Sequence, residues 1–188
     1  YKGVDTTTMP VVTITNIGAG GVSIAGLIDN SDPGGSSSGG SQINSVIIGS
    51  AGGVRLGGIY TYAGSGGQWV SHDSGNITIA AGGNVEVTGA MRTHMLGIGG
   101  SYSRNAGNVT ITSTSGWVRL NSIITTNLAT ESSRYAGDVQ VTAGGDITIK
   151  GGAIDLSSPY GGDRQGCMRL ITSAGSGRTK PPRARLNA

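Results

Sequence analysis

The residues of this chain with types suited to chemistry are its carboxylates, two histidines, one thiol, and a group of aromatics near an arginine. Cleaving a glycosidic bond needs two carboxyls roughly 5–9.5 Å apart. Asp29 and Asp155 fall at equivalent places of a sequence repeat described below, but four repeats apart. Stacked at ~4.8 Å per layer they would be about 19 Å from each other. Asp138 and Asp146 flank one short strand beside glycine, where Asp usually makes turns. No pair meets the requirement, so the reading is non-enzymatic. His72 and His94 fall at different repeat positions, with no Cys or His at ligand spacing, and read as solvated loop histidines. Gly144-Gly145-Asp146-Ile147 is one partial echo of the calcium-binding β-roll repeat, without its period. No metal and no cofactor are expected. Cys167 is the only cysteine, which excludes an internal disulfide. It takes the repeat position held elsewhere by Asn108 and Asp138.

Tyr60, Tyr62 and Trp69 lie on one repeat unit, and Arg92 falls next to Tyr60 on the following one. Aromatic rings with a guanidinium can hold a sugar or a partner surface, so these four form the candidate ligand surface. The second candidate is the C-terminal tail. Residues 164–188 carry six basic side chains and no acid, among them Arg178, Lys180, Arg183 and Arg185; the remainder carries seven basic and ten acidic ones. Such a tail could dock on a neighbouring subunit. Its charge sits on one short segment without aromatics, which argues against nucleic acid.

The elements that must position these residues follow from composition. Of 188 residues, 36 are Gly, 22 Ser and 19 Thr; Leu supplies 8, and Val with Ile 31. A helical bundle needs Leu, Ala, Glu and Lys instead. Collagen needs a strict glycine period and more than 5 Pro. Apolar runs of a few residues exclude a membrane-spanning helix. The chain starts at Tyr1 without the charged and apolar regions of a signal peptide, which is expected to be absent or already removed.

A repeat organises the chain. Gly75-Asn-Ile-Thr-Ile recurs as Gly107-Asn-Val-Thr-Ile and Gly137-Asp-Val-Gln-Val. With looser copies, the anchors are Val12, Val46, Ile77, Val109, Val139 and Met168, spaced 34, 31, 32, 30 and 29 residues apart. Each unit has an alternating strand, a Gly/Ser turn and a second alternating strand such as Val85-x-Val87. A third apolar point follows (Ile28, Ile59, Met91, Ile124, Ile154), then a long Gly/Ser-rich stretch. Alternation marks strands with one buried face. One unit cannot bury that face alone, but stacked units can. The pattern predicts an all-β parallel β-solenoid of about six rungs, three short strands each, with one long loop per rung. An antiparallel sandwich would give no reason for the period. Stacking also places Glu86 between Arg55 and Arg119 on an outward column, an expected ion-pair ladder.

Gly107–Ile111, Ala136–Ile149 and Gly151–Asp155 resemble the repeats of filamentous-haemagglutinin-like exoproteins, large secreted bacterial surface proteins often exported by two-partner secretion. The resemblance implies a right-handed parallel β-helix outside the cell, acting as adhesin, stalk or fibre, over roughly residues 9–175. Residues 1–8 read as an N-terminal extension, and 176–188 as a basic tail in which Pro181-Pro182 stops pairing. Open solenoid ends invite further pairing. The expected function is a non-enzymatic extracellular structural protein, a segment or subunit of a surface fibre or adhesin. Its expected partners are copies stacked end to end, or the continuation of a longer solenoid, and a host or glycan surface. The alternative is a carbohydrate-binding or polysaccharide-cleaving β-helix.

Overall fold

The structure, a computed structural model, describes residues 11–31, 44–64, 73–96, 105–127, 135–158, 165–173 and 184–187. It is an all-β parallel solenoid. One sheet stacks β1 (Val12–Asn16), β3 (Val46–Ser50), β6 (Ile77–Ala81), β9 (Val109–Ser113), β11 (Val139–Ala143) and β14 (Met168–Thr172) in that order. The second stacks β2 (Val22–Asp29), β4 (Val54–Tyr60), β7 (Val85–Arg92), β10 (Val118–Ile124), β12 (Ile147–Lys150) and β15 (Ala184–Asn187). β13 (Ile154–Asp155) adds to β10, and β5 (Ala63–Gly64) pairs with β8 (Met95–Leu96).

The six anchors lie on one column, each paired in parallel with the next: Val12, Val46, Ile77, Val109, Val139 and Met168. The sequence period of about 31 residues is therefore one turn of the coil. Alternation decides the faces. In β6, Ile77 and Ile79 are fully buried while Thr78 between them is not. Val, Ile and Leu from both sheets fill the space between them. The turns β3–β4, β6–β7, β9–β10 and β11–β12 have a layer on each side. The end layers β1–β2 and β14 hold Val12, Ile14, Val22, Ile24, Met168 and Leu170 only partly buried.

Two details differ from the sequence expectation. The third apolar point is mostly no separate strand. The second strand continues past a bulge, with register shifts between Leu56 and Ile59 and between Leu120 and Ser122, and then turns apolar residues inward again. In the fourth turn the inward residue is Ile123, not Ile124: Ile123 pairs with Met91 and is fully buried. Two adjacent isoleucines satisfy the same pattern, and the bulge chooses between them. The tail also differs: it does not stay out of the repeat. Ala184–Asn187 adds to β12 in register, Ala184 on Ile147 and Leu186 on Ile149. The two prolines precede this strand rather than interrupting it, and Ala-x-Leu repeats the alternation of Ile147-x-Ile149.

Candidate functional site

Past the bulge, three adjacent residues of each turn line up into columns. The outward column reads Asp29, Tyr60, Arg92, Ile124, Asp155. The next, inward column holds Thr61, Thr93 and Thr125, whose amides donate to the carbonyls of Arg92, Ile124 and Asp155 on the following turn. These threonines are buried, and each hydroxyl donates to a glycine carbonyl at the start of the next turn: Gly75, Gly107 and Gly137. This rigid column sets the outward residues on either side of it. Tyr60 and Tyr62 flank Thr61; Arg92 and His94 flank Thr93.

The result is a two-by-two block of planar groups. The Arg92 guanidinium carbon lies 5.1 Å from the Tyr60 ring centroid, within cation–π range. Tyr62 stacks on His94 at 4.7 Å with an interplanar angle of 14°. Tyr60 and Tyr62 are tilted neighbours at 6.3 Å. His94 is not the solvated loop histidine expected from sequence: it is only 8% exposed. The cause is its place beside a buried threonine and under a tyrosine ring from the adjacent turn. Burial, with the nearby Arg92 charge, lowers its pKa from 6.5 to about 4, so the imidazole is neutral near pH 7. His94 Nδ1 and Arg92 Nε are buried without a hydrogen-bond partner among the described residues. At neutral pH the block offers flat faces and one fixed cation, which is binding chemistry. Trp69, the fourth residue expected here, lies outside the described residues, as do His72, Arg178, Lys180 and Arg183. Arg185 is placed by its backbone in β15, paired with Thr148.

The expected ladder is half an ion pair. Arg55, Glu86 and Arg119 do occupy one column. Arg55 Nε meets Glu86 Oε2 at 3.1 Å, but the Arg119 guanidinium lies over the Trp117 ring at 4.2 Å. Trp117, Asn84, Gly53 and Gly21, at equivalent positions of successive turns, line an open groove of about 370 Å³ together with Arg55 and Glu86.

Asp29, Asp138 and Asp155 serve the backbone. Asp29 and Asp155, on one column four layers apart, each accept from the amide two residues on, that of Ser31 or Ser157. Asp138 accepts from the amide of Cys167 at 2.8 Å. That last bond belongs to a ladder that sequence reading missed. Asn76 accepts from the Asn108 amide, and Asn108 from that of Asp138, both at 2.8 Å. The signal was present in the repeated Gly-Asn/Asp pair, which looked like turn chemistry alone. Among the described residues, no three His, Cys, Asp or Glu come together as metal ligands. No family model, no curated protein and no solved structure matches this chain.

Proposed function

We propose that this chain is a non-enzymatic structural solenoid, a segment or subunit of a bacterial surface fibre or adhesin working outside the cell. One observation carries the reading: the first sheet repeats a single register from β1 to β14, and the second does so over the first three residues of each strand from β2 to β15, so each layer is a template for another. The use of Asp29, Asp138 and Asp155 as backbone acceptors supports a scaffold rather than an active site. Six rungs, each with a Gly/Ser-rich loop, are read from the spacing of the six anchors, and a right-handed coil is what the resemblance of Gly107–Ile111, Ala136–Ile149 and Gly151–Asp155 to filamentous-haemagglutinin-like repeats implies. Its partners are further layers, from a second copy or a longer solenoid, and a host or glycan surface.

Negative-stain electron microscopy at rising protein concentration tests the reading. Filaments of constant width are expected. Monodisperse particles a few nanometres long at every concentration would remove self-assembly. A second reading, glycan binding, is favoured by the groove beside Trp117 and the Tyr60–Arg92 block. Monodisperse particles that bind a glycan array would move the function there.

A further inference from the structure

We infer that the end formed by β14 and β15 takes the β1–β2 end of a second copy, head to tail, in the register the turns use within one chain. This docking rests on the fibre reading above and goes further, since it fixes the register and gives residues 184–187 a role. β15 supplies the sixth layer of the second sheet, level with β14. Without it the sheets would stop at six and five layers, a step that no flat end of another copy matches. Both ends leave a row of backbone amides and carbonyls without a strand partner among the described residues.

The core columns also stop unfinished at both ends. Residues fully buried in the middle turns are replaced by half-buried Val12 and Ile14 at one end, Met168 and Leu170 at the other. Val11, Ile17 and Leu27, all in the first layer, are 46%, 92% and 49% exposed. A stacked copy continues each column, with Val12 on Met168, Ile14 on Leu170 and Val22 on Ala184. Charge runs the same way: β14 and β15 carry Arg169 and Arg185, while Asp29 of β2 is the one charged residue among positions 11–31. The two ends are different surfaces, so the contact is heterologous and propagates as an open filament.

The register has one further consequence. Val11 precedes Val12 as Cys167 precedes Met168, so Val11 of one copy lies beside Cys167 of the next. Cys167 is an exposed free thiol. Neighbouring parallel strands are about 4.8 Å apart, within disulfide reach. Within one chain the same two positions are five layers, about 24 Å, apart, so any bond between them joins two copies.

The experiment mixes two full-length single-thiol chains under mild oxidation: the wild type, and Val11→Cys combined with Cys167→Ser. A disulfide heterodimer at least tenfold above either homodimer is expected, and removing residues 184–188 from the wild-type partner should abolish it. Filaments without heterodimer would overturn the register while leaving the fibre reading intact. Neither filaments nor heterodimer would sink both. Heterodimer that survives the truncation would overturn the role of β15. Heterodimer that forms only after residues 1–10 are removed would show that those residues occupy the first layer, which overturns docking by the intact chain.

Discussion

Thr93 and Gly107 exchange two hydrogen bonds: the Gly107 amide donates to the Thr93 carbonyl at 3.0 Å, and the Thr93 hydroxyl donates to the Gly107 carbonyl at 2.5 Å. Thr61 with Gly75 and Thr125 with Gly137 repeat the arrangement at 2.6 and 2.7 Å for the hydroxyl bond. Each pair ties the end of one turn to the start of the next, and Thr61 and Thr93 are flanked by Tyr60, Tyr62, Arg92 and His94.

Thr93 is fully buried, so Thr93→Val leaves the Gly107 carbonyl without its hydroxyl donor in an apolar setting. A loss of about 1–3 kcal/mol is expected by urea unfolding. Thr93→Ser keeps the hydroxyl and should recover most of it. Gly107→Ala should be worse, because a Cβ there would lie 2.0 Å from the Gly75 carbonyl oxygen on the preceding turn. A cost of about 3 kcal/mol or more follows from overpacking against backbone, which cannot yield as a side chain can. Equal loss in Thr93→Val and Thr93→Ser would sink the hydrogen-bond account.

The Asn76–Asn108–Asp138 ladder predicts a chemical preference rather than a size preference. Asn108→Asp keeps an acceptor for the Asp138 amide, and Asp138 itself shows that a carboxylate serves. Asn108→Leu is of similar size but removes the acceptor. The first should change stability little and the second cost about 1 kcal/mol, read from the denaturant midpoint. If Leu were tolerated as well as Asp, the ladder would be incidental to the stack.

Much of this fold was legible because the core is one-dimensional. Val12, Val46, Ile77, Val109, Val139 and Met168 could be aligned from spacing alone, and the register follows that column. Legibility failed where local geometry chooses between equals. Ile123 and Ile124 carry the same apolar signal, and only the register shift, in which Asn121 of β10 faces both Thr88 and Gly89 of β7, turns the first inward. The candidate site was half legible for a related reason. Tyr60 and Arg92 share a column and could be paired by counting. His94 could not, since its burial comes from a ring on another turn and from a threonine whose role is invisible until its glycine partner is seen. The Arg119 contact with Trp117 was missed because column arithmetic brings charges together but says nothing about a ring two residues away on the same strand edge.

That contact makes an optical prediction. Trp117 and Trp69 are the two tryptophans, so a Trp69→Phe background isolates the first. Replacing Arg119 with Ala uncovers one ring face, and the Trp117 emission should shift to longer wavelength with a stability loss of about 0.5–1 kcal/mol. Glu86→Gln in the same background should leave the emission in place. It should cost less than ~1 kcal/mol, because the Arg55 side of its ion pair is 70% exposed and screened. An emission shift from Glu86→Gln, with none from Arg119→Ala, would reverse the assignment.

His94 makes stability depend on pH with a definite sign. In the unfolded chain the imidazole binds a proton below its ordinary pKa of 6.5; in the folded chain burial and Arg92 delay this to about 4. Between those values the unfolded state binds more protons, so stability falls as pH is lowered through the window and is fully present above it. The contribution lost by about pH 4 is roughly 3 kcal/mol. No like charge is created by His94→Phe, which keeps a ring against Tyr62, so that variant should lose stability more slowly over the same range. Denaturant midpoints at pH 7, 6, 5 and 4 for both proteins check the slope. Parallel curves would mean that His94 takes its proton as readily when folded as when unfolded, and that the block around Tyr62 opens to water.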